Sequence, residues 1–192
     1  MPKPPESPPT VLVFGVSGVG KTSLIAQVLP RLTDALTWQA GEIIGEARQT
    51  SDPEYLRTLP SDKLEESQEL LVKGFHARAG QRNGRLVLLD AHAVIDTEHG
   101  LFDIAASIIA RLEPIGLIHI EDDPAQILER RRLHAGRPRP SRTVEQLALY
   151  QDRSLGRCEH LARELALQLQ RVISGDGERL ERAVRMMLVA RG

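Results

Sequence analysis

The feature that most constrains the fold is the glycine-rich segment GVSGVGKTS at residues 15–23, which contains the pattern G-x-x-x-x-G-K-T. An apolar run from Thr10 to Phe14 precedes it, and residues Lys21 to Leu32 carry helical spacing. This order of strand, loop and helix is the context in which the pattern forms a phosphate-binding loop. The backbone N–H groups of such a loop surround an anion, and the positive end of the following helix adds to the attraction.

The loop predicts a nucleotide site. Lys21 is expected to reach the β- and γ-phosphates, and the Thr22 hydroxyl is expected to bind magnesium. Asp90 closes a later apolar run, where an acidic residue orients the same ion directly or through water. ATP and Mg²⁺ are the expected cofactors, and the residues predicted to contact the nucleotide are Gly15, Val16, Ser17, Gly18, Val19, Gly20, Lys21, Thr22 and Ser23.

Further apolar runs predict the rest of an α/β fold. Three of them, Arg85 to Asp90, Ile115 to Ile120 and Leu169 to Ser174, are typical of buried parallel strands, and Ala35 to Gln39 is a weaker fifth. Helical patterns lie between them. Such alternation predicts a parallel sheet covered on both faces, with ligands at the carboxyl ends of the strands.

The helical patterns differ in kind. Six residues at helical spacing predict an amphipathic helix of three turns: Leu101, Ile104, Ala105, Ile108, Ile109 and Leu112. A similar pattern runs from Leu180 to Leu188. Capping boxes are predicted at Asp62 with Glu65 and at Thr143 with Gln146.

Composition excludes several classes of protein. The net charge of −1 gives no overall field for nucleic acid, and no apolar run approaches the roughly 20 residues that span a bilayer. The single cysteine, Cys158, excludes an intramolecular disulfide and favours the cytoplasm. We expect one domain over residues 10–192, with the proline-rich residues 1–9 as a disordered tail. His119 and Trp38 are expected to be structural residues of the core.

Arginines are concentrated in residues 120–143. Arg137 and Arg139 stand beside Pro138 and Pro140, which prevent a continuous helix, so residues 134–143 or so are predicted to form a lid loop. A guanidinium group is permanently charged and can bind phosphate in bidentate fashion, and Arg137 and Arg139 are therefore candidate catalytic residues. Earlier in the segment, Arg130 and Arg131 are expected on the solvated face of a surface helix.

Four segments together resemble the archaeal-type adenylate kinases: GVSGVGKTS, LVLLDAHAVIDT, IEDDPAQILERRR and LYQDRS. The similarity runs from about residue 10 to residue 176. It implies a three-layer phosphate-loop NTPase fold with a five-stranded parallel sheet and a small arginine-rich lid. It also implies ATP with magnesium at the loop and a nucleoside monophosphate opposite, bound by a segment at about residues 41–82.

The resemblance also assigns individual residues. Arg57 in YLRTLP would hold the acceptor phosphate, Gly41 would line the same pocket, and His92 falls in the Asp-x-His segment of the family. Gly175, in the segment ISGD, would lie in the loop that holds the adenine of ATP. Arg153 would be one of the residues around the phosphoryl group that is transferred.

The resulting hypothesis is ATP-dependent phosphorylation of a nucleoside monophosphate, and AMP is the first candidate for this acceptor. Ala91 and His92 follow Asp90, so the glutamate that many ATP-driven motors place there is missing, and no Asn-Lys-x-Asp segment points to GTP. Ser17 stands where these kinases commonly have proline. Two alternatives stay open: a kinase of another small metabolite, and a nucleotide-dependent switch or assembly protein. The resemblance also allows a homo-oligomer.

Overall fold

Five parallel strands form the central sheet of the computed structural model, which describes residues 8–50, 55–80, 85–133 and 139–191. Numbered along the chain, they are β1 (Thr10–Phe14), β2 (Leu36–Gln39), β3 (Val87–Asp90), β6 (Pro114–Glu121) and β7 (Leu169–Ile173). Their order is β2-β3-β1-β6-β7. In the register, Leu12 of the central strand lies opposite Leu89 on one side and Leu117 on the other. The predicted α/β fold is confirmed.

Seven helices accompany the strands in the described part of the chain: α1 (Lys21–Val28), α2 (Ala40–Arg48), α3 (Ser61–Ala79), α4 (Ala106–Arg111), α5 (Pro124–Leu133), α6 (Val144–Glu164) and α7 (Gly177–Arg191). Two single 3₁₀ turns, Leu29–Arg31 and Tyr55–Arg57, follow α1 and precede α3. The first of these turns completes the segment that was predicted as one helix up to Leu32.

The sheet has a hydrophobic core on each face because side chains alternate along a strand. Leu12 and Phe14 of β1 pack with apolar residues of α3, α4 and the second half of α6. Val11 and Val13 point to the opposite face and pack with α1, α5, α7 and the first half of α6. Both faces are therefore covered. Trp38 is buried in the first core as expected, and Cys158 is buried there too.

The two predicted capping boxes have different outcomes. At the start of α6, the Gln146 backbone N–H donates to Thr143 Oγ1 at 3.3 Å, and the Thr143 N–H donates to Gln146 Oε1 at 2.9 Å. That prediction is confirmed. The other is wrong, because α3 begins at Ser61 behind Pro60, and Asp62 already lies inside the first turn.

A two-stranded antiparallel hairpin replaces the first turn of the predicted three-turn helix. Its strands are β4 (Val94–Thr97) and β5 (Gly100–Asp103), and Asp96 lies opposite Leu101. Leu101 packs against one core, whereas Ile108 belongs to the other. The helical spacing across this segment is therefore coincidental, and α4 begins only at Ala106.

The predicted tail and lid are described in part. The Val87 N–H donates to the Pro9 carbonyl at 2.8 Å, so ordered structure begins before Thr10, and residues 1–7 lie outside the described residues. Residues 139–143 form neither helix nor strand, and residues 134–138 of the predicted lid also lie outside the described residues.

Within the described ranges, each helix is too short or too polar to span a bilayer.

Candidate functional site

A cleft of about 990 Å³ opens at the carboxyl ends of β1 and β3. The glycine-rich loop and the start of α1 line one side of it. Residues of α2, the 3₁₀ turn at Tyr55–Arg57 and α3 line the other side. This is the position at which open parallel sheets bind their ligands, and the volume lies at the upper end of the usual range for small-molecule sites.

Two glycines of the loop hold conformations that favour glycine. Gly20, directly before α1, has φ = +100°, and a Cβ built there would lie 2.8 Å from Ser174 Oγ. Gly18 has φ = +85°, and a Cβ there would lie 2.9 Å from Cγ of Arg131. The loop is therefore packed closely against α5 and against Ser174, the residue after β7. A larger residue at either glycine would strain the backbone and would require the neighbouring side chain to shift.

Lys21 is buried beneath this loop. Its Nζ donates a hydrogen bond to the Gly15 carbonyl at 2.8 Å and lies 3.7 Å from Asp90 Oδ1. Burial lowers the pKa of Lys21 below its ordinary value, and the Asp90 carboxylate opposes that change. A bound phosphate would add negative charge beside the ammonium group and favour its charged form.

Thr22 and Asp90 meet at the end of β3, where the Thr22 hydroxyl donates to Asp90 Oδ2 at 2.7 Å. Both groups are oxygen ligands, which suit Mg²⁺. Among the described residues there is no cluster of three or more His, Cys, Asp or Glu side chains that could hold a metal ion. The donor set therefore fits an ion that arrives with a nucleotide and keeps phosphate oxygens and water as its other ligands.

His92 lies behind the loop, with Nδ1 2.8 Å from the Gly15 carbonyl. A carbonyl oxygen only accepts, so Nδ1 carries the hydrogen in this contact. Burial, and then the charges of Lys21 and Arg57, hold the pKa of His92 well below its usual value. The ring is therefore neutral near pH 7 and supports the loop from the cleft wall without adding positive charge.

The opposite half of the cleft contains the residues predicted for an acceptor. Arg57 and Gly41 both line it. Arg57 Nη1 donates to the Asp96 backbone carbonyl at 2.9 Å, which fixes the guanidinium at the cleft wall. The rest of this half is lined by the apolar residues Ile44, Leu56, Leu71, Ile95, Ile104, Ile109 and Leu112 and by the polar residues Gln39, Glu42, Glu46, Gln49, Thr50 and Gln68.

The solvated positions predicted for Arg130 and Arg131 are wrong. Arg130 Nε donates to the Gly18 carbonyl at 2.9 Å, and its Nη2 pairs with Asp122. Arg131 is buried, and its Nε donates to the Ser17 carbonyl at 2.9 Å. Both arginines therefore hold the phosphate loop from the side of α5.

A sequence signal for this arrangement exists. Ile127 is fully buried, and the residues three and four positions later share its helix face. Those residues are Arg130 and Arg131, whereas Arg132 points away and its side chain is 69% exposed.

The remaining predicted site residues are dispersed. Arg139 lines the cleft, whereas Arg137 lies outside the described residues. Gly175 follows Ser174, the neighbour of Gly20, but does not line the cleft. Arg153 on α6 donates to both oxygens of Asp103, at 3.0 and 3.1 Å, and is not among the residues that line the cleft. The structure does not bring Arg153 to the phosphate loop.

Comparison with known proteins agrees with this geometry. A family model described as an AAA domain matches residues 14–148. The chain is 30% identical over 151 residues to an adenylate kinase of Methanoculleus marisnigri, a match covering 74% of this chain and 77% of that protein. It is also 30% identical over 148 residues to an adenylate kinase of Pyrococcus abyssi, with 74% of each chain covered.

Solved structures show the same fold at lower identity. A shikimate kinase from Acinetobacter baumannii in complex with shikimate matches with a TM-score of 0.59 at 15% identity, covering 97% of this chain and 96% of that chain. A shikimate kinase from Bacteroides thetaiotaomicron matches with a TM-score of 0.55 at 16% identity, covering 96% and 99%. At these identities the likeness concerns architecture and not the substrate.

Proposed function

The chain belongs to the AAA domain family and to the archaeal-type adenylate kinases, and from this premise we propose that it transfers the γ-phosphoryl group of ATP to a nucleoside monophosphate, with AMP as the first candidate. It is a phosphotransferase of the phosphate-loop class. The specific acceptor, the magnesium ion and a cytoplasmic location are parts of the proposal.

One observation carries the proposal: a single cleft joins the phosphate loop to a second pocket that contains an arginine, Arg57. A protein that only hydrolyses ATP needs no second pocket for an anion. Phosphoryl transfer, in contrast, requires the donor and the acceptor to lie in line within one cavity.

The mixed lining of the second pocket suits a nucleoside monophosphate, which has an apolar base face, polar base edges and a charged phosphate. Ile44, Leu56 and Leu71 offer surface for a planar base, and Arg57 supplies charge for the phosphate. Polar residues of the same half, among them Gln39, Thr50 and Gln68, offer hydrogen-bond partners for the edge of the base and the ribose hydroxyls.

Each residue of the cleft has its own proposed role in such a transfer. Lys21 would bind the phosphates of ATP, Arg57 would hold the acceptor, and Arg139 would compensate the charge that develops on the transferring group. Arg137 is proposed for the same role as Arg139. When bound, Mg²⁺ would neutralise charge on the β- and γ-phosphates, with Thr22 and Asp90 as its protein partners.

A strong general base is not required. The second pKa of a phosphate monoester is about 6, so the attacking oxygen is already ionised near neutral pH. His92, which is neutral and hydrogen-bonded to Gly15, would keep the loop in place and would not accept the proton.

The test is a panel of acceptors in which the purified protein is given ATP, Mg²⁺ and one acceptor at a time, with ADP formation as the readout. The panel contains nucleoside monophosphates, nucleosides, shikimate and phosphorylated sugars. We expect that AMP is the acceptor of the panel with which ADP forms rapidly. Lys21→Met serves as the inactive control. Rapid turnover with a non-nucleotide acceptor would identify that metabolite, and not AMP, as the substrate. Slow ADP formation at the same rate with and without each acceptor would favour a nucleotide-dependent switch.

A further inference from the structure

A buried carboxylate, Asp96 on β4, lies among three arginines at the edge of the cleft. It is fully buried, and its Oδ1 accepts a hydrogen bond of 2.7 Å from Arg142 Nη2. Its Oδ2 lies 3.8 Å from Arg131 Nη1, and its backbone carbonyl accepts the 2.9 Å bond from Arg57. We propose that Asp96 is a positioning residue for phosphoryl transfer, which holds the phosphate loop in one geometry with residues 139–142, here called the arginine segment. This inference rests on the proposed function.

The contact with Arg131 acts on the phosphate loop. Arg131 holds the Ser17 carbonyl through Nε, but its Nη1 and Nη2 make no hydrogen bond with any described residue. Burial lowers the pKa of Arg131, and the nearby Asp96 charge opposes that effect. Among the described residues, Asp96 is the carboxylate that pairs with Arg131, so its removal would leave a buried cation without compensation.

The contact with Arg142 acts on the arginine segment. Arg142 lies three residues after Arg139 and directly before Thr143, which caps α6. Its 2.7 Å bond to Asp96 ties the end of the predicted lid to the wall of the cleft. Because Arg139 lies only three residues before this fixed point, the contact limits the positions that Arg139 can adopt and holds a charged donor at the cleft before reaction.

The contact with Arg57 differs because it uses the backbone of Asp96 and not the side chain. A change of the carboxylate therefore leaves that hydrogen bond available. Loss of the Asp96 charge should disturb Arg131 and Arg142, which serve the donor side and the arginine segment, and should spare the arginine proposed for the acceptor.

The strand that carries Asp96 is itself anchored. β4 pairs with β5, and the Tyr150 hydroxyl of α6 donates to the Val94 carbonyl at 2.9 Å. Tyr150 is buried, so this bond is shielded from water. The carboxylate is thus presented from a fixed strand, which is what a positioning group requires.

The experiment compares Asp96→Asn with a matched control. Asp96→Asn keeps the shape of the side chain and removes its charge. We expect kcat at saturating ATP and AMP to fall about tenfold or more, while KM for AMP changes less than about twofold. The control is Glu69→Gln, which removes a 2.6 Å carboxylate–arginine pair with Arg111 on the surface and should keep kcat within about twofold of the wild type.

A second variant, Arg142→Gln, removes the same contact from the side of Arg142, which is partly exposed. It tests the proposal if Asp96→Asn does not fold. It should show the same loss of kcat with KM for AMP unchanged. In the double variant the losses should be less than multiplicative, because both changes break one contact. A variant that loses activity only because it is less stable should also have a lower thermal midpoint. The thermal midpoint of each variant is therefore measured by circular dichroism.

The outcomes separate the two proposals. If none of the acceptors in the panel stimulates ADP formation by the wild type, the proposed function fails and the positioning role fails with it. If the wild type is active and a folded Asp96→Asn or Arg142→Gln keeps normal kcat, or raises KM for AMP with kcat intact, the proposed function stands and the role of Asp96 is overturned.

Discussion

The Thr22 hydroxyl and the Asp90 carboxylate are joined by a hydrogen bond of 2.7 Å, although the residues are 68 positions apart in the chain. Thr22 lies in the first turn of α1, and Asp90 is the last residue of β3, the strand beside β1. The parallel register therefore places a hydroxyl and a carboxylate at the same edge of the sheet, beside the loop that would hold the phosphates.

Thr22→Val tests this pair as a magnesium site. The substitution keeps the shape of the side chain and removes the oxygen, so the Mg²⁺ concentration for half-maximal activity should rise roughly tenfold or more. Thr22→Ser, which keeps a hydroxyl, should remain close to the wild type. The measurement is a Mg²⁺ titration of ADP formation, and an unchanged titration in Thr22→Val would remove this residue from the metal site.

Arg139→Ala tests the arginine segment. If Arg139 compensates charge on the transferring group, kcat should fall by about 10²-fold, the scale of losing one preorganised donor. Arg132→Ala is the matched control, since that side chain is 69% exposed and should leave kcat unchanged. Arg137→Ala is expected to behave like Arg139→Ala, and near-normal kcat in both variants would exclude the segment from the mechanism.

Arg57→Ala tests the acceptor pocket. A charge-assisted hydrogen bond contributes about 1.5 kcal/mol or more, so KM for AMP should rise about tenfold or more. KM for ATP should change less than KM for AMP, because Arg57 is proposed to contact the phosphate of the acceptor and Lys21 the phosphates of ATP. Initial rates measured with each substrate varied in turn give both constants, and an effect confined to ATP would contradict this assignment.

The parts of the site that are contiguous in the chain could be predicted from the sequence. The phosphate loop needs only β1 before it and α1 after it, and Asp90 could be placed because it ends an apolar run. These predictions rest on local patterns, whose meaning does not depend on what the segments later pack against.

The contacts made across the fold could not be predicted in this way. For Arg131, the run of three arginines favours a solvated face, whereas its spacing from Ile127 favours the packed face; the sequence shows that it is packed only once the partner of α5 is known, and that partner is the phosphate loop. Asp96 gave no signal at all. Leu101 matched helical spacing with later apolar residues, and this pattern obscured the hairpin that carries Asp96 into the protein.

The last prediction concerns His119 and the pH dependence of stability. His119 lies fully buried on β6 with Nε2 3.1 Å from Ser154 Oγ, and its Nδ1 has no hydrogen-bond partner among the described residues. Burial lowers its pKa from 6.5 to about 4. Because the folded-state pKa lies below the unfolded value, the unfolded chain binds the proton first as the pH falls. The contribution to stability is therefore complete above about pH 6.5 and is lost progressively down to about pH 4, and the loss amounts to about 3 kcal/mol.

Urea unfolding of the wild type and of His119→Gln across this range measures the contribution. The free energy of unfolding of the wild type should fall more steeply with decreasing pH than that of His119→Gln, whereas His92 and the carboxylates contribute equally to both curves and cancel in the difference. His160→Gln, at a side chain that is more than half exposed, is the control and should follow the wild type. Parallel curves for the wild type and His119→Gln would mean that His119 does not resist protonation in the folded protein.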